Sequence, residues 1–133
     1  MSDVDAFVAE VVPMLHDEVV ALHNGDLGPR LALWSHNDPV SLFGAWLSAR
    51  GWTDIRAVFD KLATTFRGST GMEYEVVAAG TSGDLGYVVG LEHSSVKMAE
   101  GSRSYTLRVT TVLRREDGAW KVVHRHGDEL AAA

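Results

Sequence analysis

The second half of the chain constrains the fold most. From Met72 onward, residues that favour strands are broken only by short runs of turn formers: Gly80-Thr81-Ser82-Gly83-Asp84, Ala99-Glu100-Gly101 and Glu116-Asp117-Gly118. Strands joined by such tight turns run antiparallel, and Asp-Gly is a strong hairpin signal. The strands predicted on this basis are Met72–Ala79, Gly86–Met98, Ser104–Arg115 and Ala119–His126. A four-strand meander cannot bury both faces alone, so the first half must supply a cover.

That half reads as helical. Phe7, Val11, Met14, Glu18 and Leu22 recur at helical spacing over residues 3 to 23, and Val8, Val12, Leu15 and Val19 broaden the stripe. Pro13 should kink or divide this helix, and Asn24-Gly25 should end it. A shorter helix is expected from Asp26 through Trp34, then a turn at His36-Asn37-Asp38, a strand Val40–Phe43 and a loop Ala45–Gly51. Thr53 is expected to cap a third helix whose stripe is Ile55, Val58, Phe59, Leu62 and Phe66. The expectation is an α+β fold in one domain, 1–133, with helices packed on one face of a curved antiparallel sheet.

Composition narrows the function. The net charge of −6, and an adjacent Arg114-Arg115 pair followed at once by Glu116-Asp117, argue against nucleic acid as partner. Cysteine is absent, which removes disulfides and thiolate chemistry. No stretch has the roughly 20 apolar residues of a membrane helix, and the acidic N-terminus lacks a signal-peptide pattern, so a cytoplasmic location is expected. Phosphate-loop and dinucleotide fingerprints and the nucleophile elbow are missing, and no cofactor is expected.

The last strand carries the candidate chemistry. On a regular strand Trp120, Val122, His124, His126 and Asp128 share one face. An aromatic end and an ionisable end describe the wall of a half-buried pocket, or a strand tip reaching solvent. His124 and His126 are the candidate general acids and bases, with Asp38 or Asp128 to orient an imidazole or act as base. Trp34, Phe43 and Trp46 would supply walls, with His36 beside them. Glu92, Arg108 and Thr110 are expected together on the face opposite Tyr87, Val89 and Leu91, with Arg108 to hold an anionic group. Which face lines a cavity stays open. His-x-His with His36 and Asp38 is a donor set a Zn²⁺ site uses, but nothing in the spacing forces those groups together, and no metal is expected.

The segments Trp34-Ser35-His36-Asn37-Asp38 with Leu42-Phe43-Gly44, Gly83-Asp84-Leu85 leading to Glu92, Leu107 to Thr110, Arg114 to Gly118 and Trp120 to His126 resemble the nuclear transport factor 2-like superfamily. The nearer likeness is to small bacterial SnoaL-like and DUF4440-type proteins. The resemblance implies a cone-shaped, cystatin-like fold, a small-molecule ligand in an internal pocket, and a homodimer packed through the sheets. It implies an isomerase, cyclase, dehydratase or hydrolase acting on a small apolar, polyketide-, steroid- or terpenoid-like substrate. The alternative is a non-catalytic ligand-binding or assembly module like the kinase II association domain. It would also bring Trp34, His36, Asp38 and Phe43 toward His124, His126 and Asp128.

Overall fold

The computed structural model describes residues 2–131. Helix α1, Asp3–His23, starts at a reciprocal cap: the Ser2 hydroxyl accepts the Asp5 N–H, and the Asp5 carboxylate accepts the Ser2 N–H. The helix runs through Pro13 without dividing and stops at Asn24, where Gly25 takes a left-handed conformation (φ 80°). Short helix α2 is Gly28–Leu33, and helix α3 is Trp52–Ala63. The strands are β1 Ser41–Phe43, β2 Ser48–Arg50, β3 Phe66–Ser82, β4 Leu85–Met98, β5 Gly101–Glu116 and β6 Ala119–Glu129. They form one open sheet in the order β2-β1-β6-β5-β4-β3, antiparallel throughout except where β1 runs parallel to β6.

The helices cover one face. Phe7, Val11 and Leu15 of α1 and Ile55 and Phe59 of α3 pack with Val88, Leu113, Trp120 and Val122 of the sheet. Each of these large side chains contributes about 1.5–3 kcal/mol when fully removed from water. Trp34 belongs to this core, edge-on to Phe59 at 5.2 Å. The five expected strands and three helices are present, with local differences. Helix α3 starts at Trp52 behind Gly51, so Thr53 lies in its first turn instead of capping it. Part of the expected 45–51 loop forms β2, because Ser48–Arg50 finds a pairing edge on β1. Phe66 opens β3 instead of closing α3, where its ring joins a second core cluster with Leu22, Val96 and Tyr105.

Register decides which side chains face the helices. Glu92 pairs with Leu107, and Leu91 with Arg108. Directly paired residues share a face, so Glu92 points inward with Tyr105 and Leu107 while Arg108 and Thr110 point outward. The expected grouping of Glu92 with Arg108 and Thr110 is therefore corrected.

The last strand departs from regular alternation as well. Leu113 pairs with Val122 but Val112 pairs with His124, so Val123 is an extra residue. Such a bulge shifts every later side chain to the other face. Trp120 and Val122 point inward before it, and Arg125 and Gly127 are buried after it. His124, His126 and Asp128 turn to the outer face. The row expected from Trp120 to Asp128 is two half-rows on opposite faces.

The bulge at Val123 turns Arg125 inward onto Glu92, so Arg125→Met should leave Glu92 as a buried, unpaired anion. Breaking one partner from a buried ion pair costs about 3–5 kcal/mol. A circular-dichroism melt should show a transition lowered by more than about 10 °C, by the usual scaling for a chain of this size. An unchanged melt would mean that Arg125 does not face the interior beyond the bulge.

Candidate functional site

A hollow lies between the helices and the inner face of β4, β5 and β6. Its walls are apolar on several sides: Val19 and Leu22 from α1, Leu42 from β1, Phe59 and Leu62 from α3, Phe66 and Leu107 from the sheet. Gly44 to Leu47 form its lip. That lip is a tight turn, closed by the Gly44 N–H donating to the Leu47 carbonyl at 2.9 Å. A Cβ at Gly44 would stand 2.5 Å from that carbonyl oxygen, so only glycine fits. The hollow offers about 50 Å³ to the centres of water-sized molecules, where one buried water needs roughly 10–15 Å³.

Into this apolar space project His23, Arg30, Glu92, Tyr105 and Arg125. Glu92 accepts two hydrogen bonds from Arg125, at 2.7 and 2.8 Å, with both side chains out of water. Burial alone would raise the Glu92 carboxyl pKa, but the Arg125 guanidinium holds it below the usual carboxylate range. Burial would likewise lower Arg125, and Glu92 keeps it above its ordinary value. The second buried pair is Arg30 from α2, whose Nε donates to the Glu18 carboxylate on α1. The Tyr105 hydroxyl and His23 Nε2 are hydrogen-bonded at 2.7 Å.

These environments fix protonation. Burial, reinforced by Arg30, lowers His23 from 6.5 to about 4, so the imidazole is neutral at physiological pH. Burial and the nearby Glu92 raise Tyr105 to about 12, which keeps its phenol protonated. The hollow thus presents a neutral imidazole–phenol pair beside two ion pairs. His23 Nδ1 has no hydrogen-bond partner among the described residues. Neither do the buried hydroxyls of Tyr74, Ser94 and Thr111.

A family model for the SnoaL-like domain matches residues 13–128. The chain belongs to the SnoaL-like domain family. No functionally curated protein matches it in sequence. Solved structures agree on the fold. A nuclear transport factor 2-like superfamily protein from Salmonella enterica aligns at TM-score 0.79 with 16% identity, covering 96% of this chain and 94% of its own. A candidate dehydratase of the NTF2-like family from Streptomyces avermitilis aligns at 0.76 with 18% identity, covering 96% and 99%. The CaMKII hub of S. rosetta aligns at 0.64 with 19% identity, covering 98% of both chains. The sheet and helices described above are thus those of an NTF2-like, cystatin-like fold.

In this SnoaL-like chain Trp34, expected as a pocket wall, is instead part of the helix–sheet core, and the other residues expected to form a site separate into three places. Glu92 and Trp46 reach the hollow, Glu92 at its polar wall and Trp46 on its lip. His124, His126, Asp128, Arg108, Thr110 and Phe43 occupy the outer sheet face. There Phe43, 51% exposed, stands edge-on to both imidazoles at 5.4 and 5.5 Å. His124 Nδ1 bonds to the Ser41 hydroxyl at 2.7 Å, and Arg108 grips Asp128 through two 2.7 Å bonds. The third place is the turn after Trp34. His36 stacks on Trp52 at 4.0 Å, and Asp38 accepts the Trp52 N–H at the start of α3. The bulge at Val123 is why the imidazoles do not meet the hollow. Among the described residues, no three His, Asp or Glu side chains gather as metal ligands.

Sequence reading missed Arg125, His23, Tyr105, Arg30 and Glu18. One signal was available: Glu18 interrupts the apolar stripe of α1, and an acid at a buried helical position requires a buried partner.

The His23 shift makes a pH prediction. The unfolded chain takes up a proton near 6.5, whereas the folded protein resists it down to about 4. Stability from neutral His23 is therefore complete above 6.5 and is lost as pH falls toward 4, with a slope of up to about 1.4 kcal/mol per pH unit. Urea denaturation at stepped pH should show this fall in the wild type and a shallower one in His23→Gln. Parallel curves for the two proteins would remove His23 as the cause.

Proposed function

We propose that this SnoaL-like protein binds a small molecule in the hollow between its helices and sheet, with Tyr105 and His23 as the polar pair that meets the ligand. The observation carrying this reading is the concentration of polar groups around one hollow lined otherwise by Leu, Val and Phe. An ordinary core avoids such groups because each costs free energy to bury. A binding site needs them, as a few placed polar groups in an apolar wall fix a ligand's orientation.

Binding is favoured over proton-transfer catalysis by the imidazole itself. A general base works best with a pKa near the operating pH, and His23 at about 4 is a weak one in the empty site. Isomerase, dehydratase or cyclase chemistry on an apolar substrate would need the ligand to raise that value on entry. A steroid-sized substrate would also need the Gly44–Leu47 lip to move, given the size of the hollow.

Protein-observed NMR with a library of small cyclic ketones, lactones, amides and hydroxy-aromatics tests the reading. Hits should shift resonances of Tyr105, Leu107 and Trp46, and Tyr105→Phe should weaken them about 5- to 10-fold, as expected for one lost hydrogen bond. A library without hits, or hits confined to the outer sheet face, would refute it.

The outer face has a second role in this proposal. Phe43, Leu85 and Tyr87 are exposed large side chains there, and an apolar sheet face of this kind marks an association surface. A homodimer through the sheet covers it. Size-exclusion chromatography with light scattering should give twice the chain mass for the wild type, and mostly monomer for Tyr87→Lys with Phe43→Lys. A wild-type monomer at micromolar concentration would exclude the dimer.

A further inference from the structure

We propose that the ligand of this hollow is uncharged and seats an acceptor oxygen, a carbonyl or amide oxygen, on the two Nη groups of Arg30; the inference rests on the binding reading above. Arg30 is the unusual group in the cavity. Its residue is 3% exposed, and Nε donates to Glu18. Its guanidinium lies over the Phe59 ring, 5.1 Å from the centroid. Neither Nη group is hydrogen-bonded to a described residue, and the side chain lines the hollow. Arg125 differs, because both of its Nη groups are bound by Glu92. Guanidinium donors that line an apolar hollow with no protein acceptor on them are placed to take one from a guest.

Charge decides which acceptor. Arg30 is balanced by Glu18, and Arg125 by Glu92. The remaining polar groups, His23 and Tyr105, are held neutral. A carboxylate guest would therefore add an uncompensated charge inside a low-dielectric enclosure, which disfavours it against a neutral guest of the same shape. A ketone, lactone or primary amide makes the same hydrogen bonds to Arg30 without it. Its other end meets the Tyr105–His23 pair, and its carbon skeleton the apolar wall at Leu42 and Leu107. The room available limits that skeleton to a handful of heavy atoms while the lip stays closed.

Matched pairs test this: isobutyramide against isobutyrate, and benzamide against benzoate, titrated at neutral pH by protein chemical-shift perturbation. The amide of each pair should bind at least about tenfold tighter, a difference of roughly 1.4 kcal/mol. The double variant E18Q/R30M removes a charge from each side and leaves no buried ion alone. It should keep the native amide spectrum and lose most of the amide affinity. Equal or tighter binding of the carboxylates would overturn the charge argument and leave cavity binding standing. Undiminished amide binding by E18Q/R30M would overturn Arg30 as the anchor. Cavity hits drawn only from compounds without an acceptor oxygen would overturn the ligand class. If no compound of any class perturbs the cavity, the binding reading falls with it.

Discussion

The bidentate contact between Glu92 and Arg125 is the interaction on which the interior depends. Either group alone could not remain ionised out of water; together they cancel the field each would otherwise impose. The pair also joins β4 to β6 across β5, since Glu92 lies opposite Leu107 while Arg125 lies opposite Thr111. It therefore reaches diagonally over the inner face of β5. Both side chains line the hollow, so the contact that ties these two strands together also supplies much of the polarity of that space.

This arrangement requires the extra residue at Val123. Upstream of it, β6 must send Trp120 and Val122 into the core, where Phe7 meets Trp120 edge-on at 4.8 Å. Downstream, it must send in Arg125. Those residues stand at even and odd positions respectively, and an unbroken strand cannot bury both sets. The same step places His124 and His126 beside Phe43 on the outer face, where each imidazole has neighbours but no enclosure. Burial lowers His124, assisted by the like charge of His126 and opposed by its bond to Ser41. A single residue thus separates a polar interior from a histidine-bearing exterior.

Much of the architecture was legible because it follows from periods. Turn formers at three short intervals dictated the meander, and apolar residues at three- and four-residue spacing dictated the helices. The site was less legible because a site is made of exceptions to those periods. Arg125 sits where alternation assigns solvent, since nothing in Val122-Val123-His124 marks which residue is extra. Glu92 was recognised as a candidate, but register against β5 was needed to separate it from Arg108. Arg30, in a six-residue helix opened by Gly28-Pro29, is an unremarkable surface residue by sequence and is sealed by α1 in space. Glu18 carried a visible signal, an acid inside an apolar stripe, whose meaning depends on a partner twelve residues away.

The electrostatic design bears on what such a cavity can do. Each buried cation has its own anion, so the interior is polar without being charged. A proton moved within it would unbalance a closed set. Protonating His23 places a third positive charge near Arg30 and Arg125, and their opposition adds to burial, the larger cause of that imidazole's low value. Deprotonating Tyr105 places another negative charge beside Glu92, and its raised value has that cause after burial. Both ends of the imidazole–phenol pair are therefore held in their neutral forms, by burial first and then by Arg30 for the imidazole and Glu92 for the phenol. An interior of this kind discriminates by hydrogen-bond geometry and size. Proton transfer becomes available only to a guest that brings a compensating charge or creates one in reaction, which makes the guest's own electrostatics the deciding term in any chemistry the fold supports.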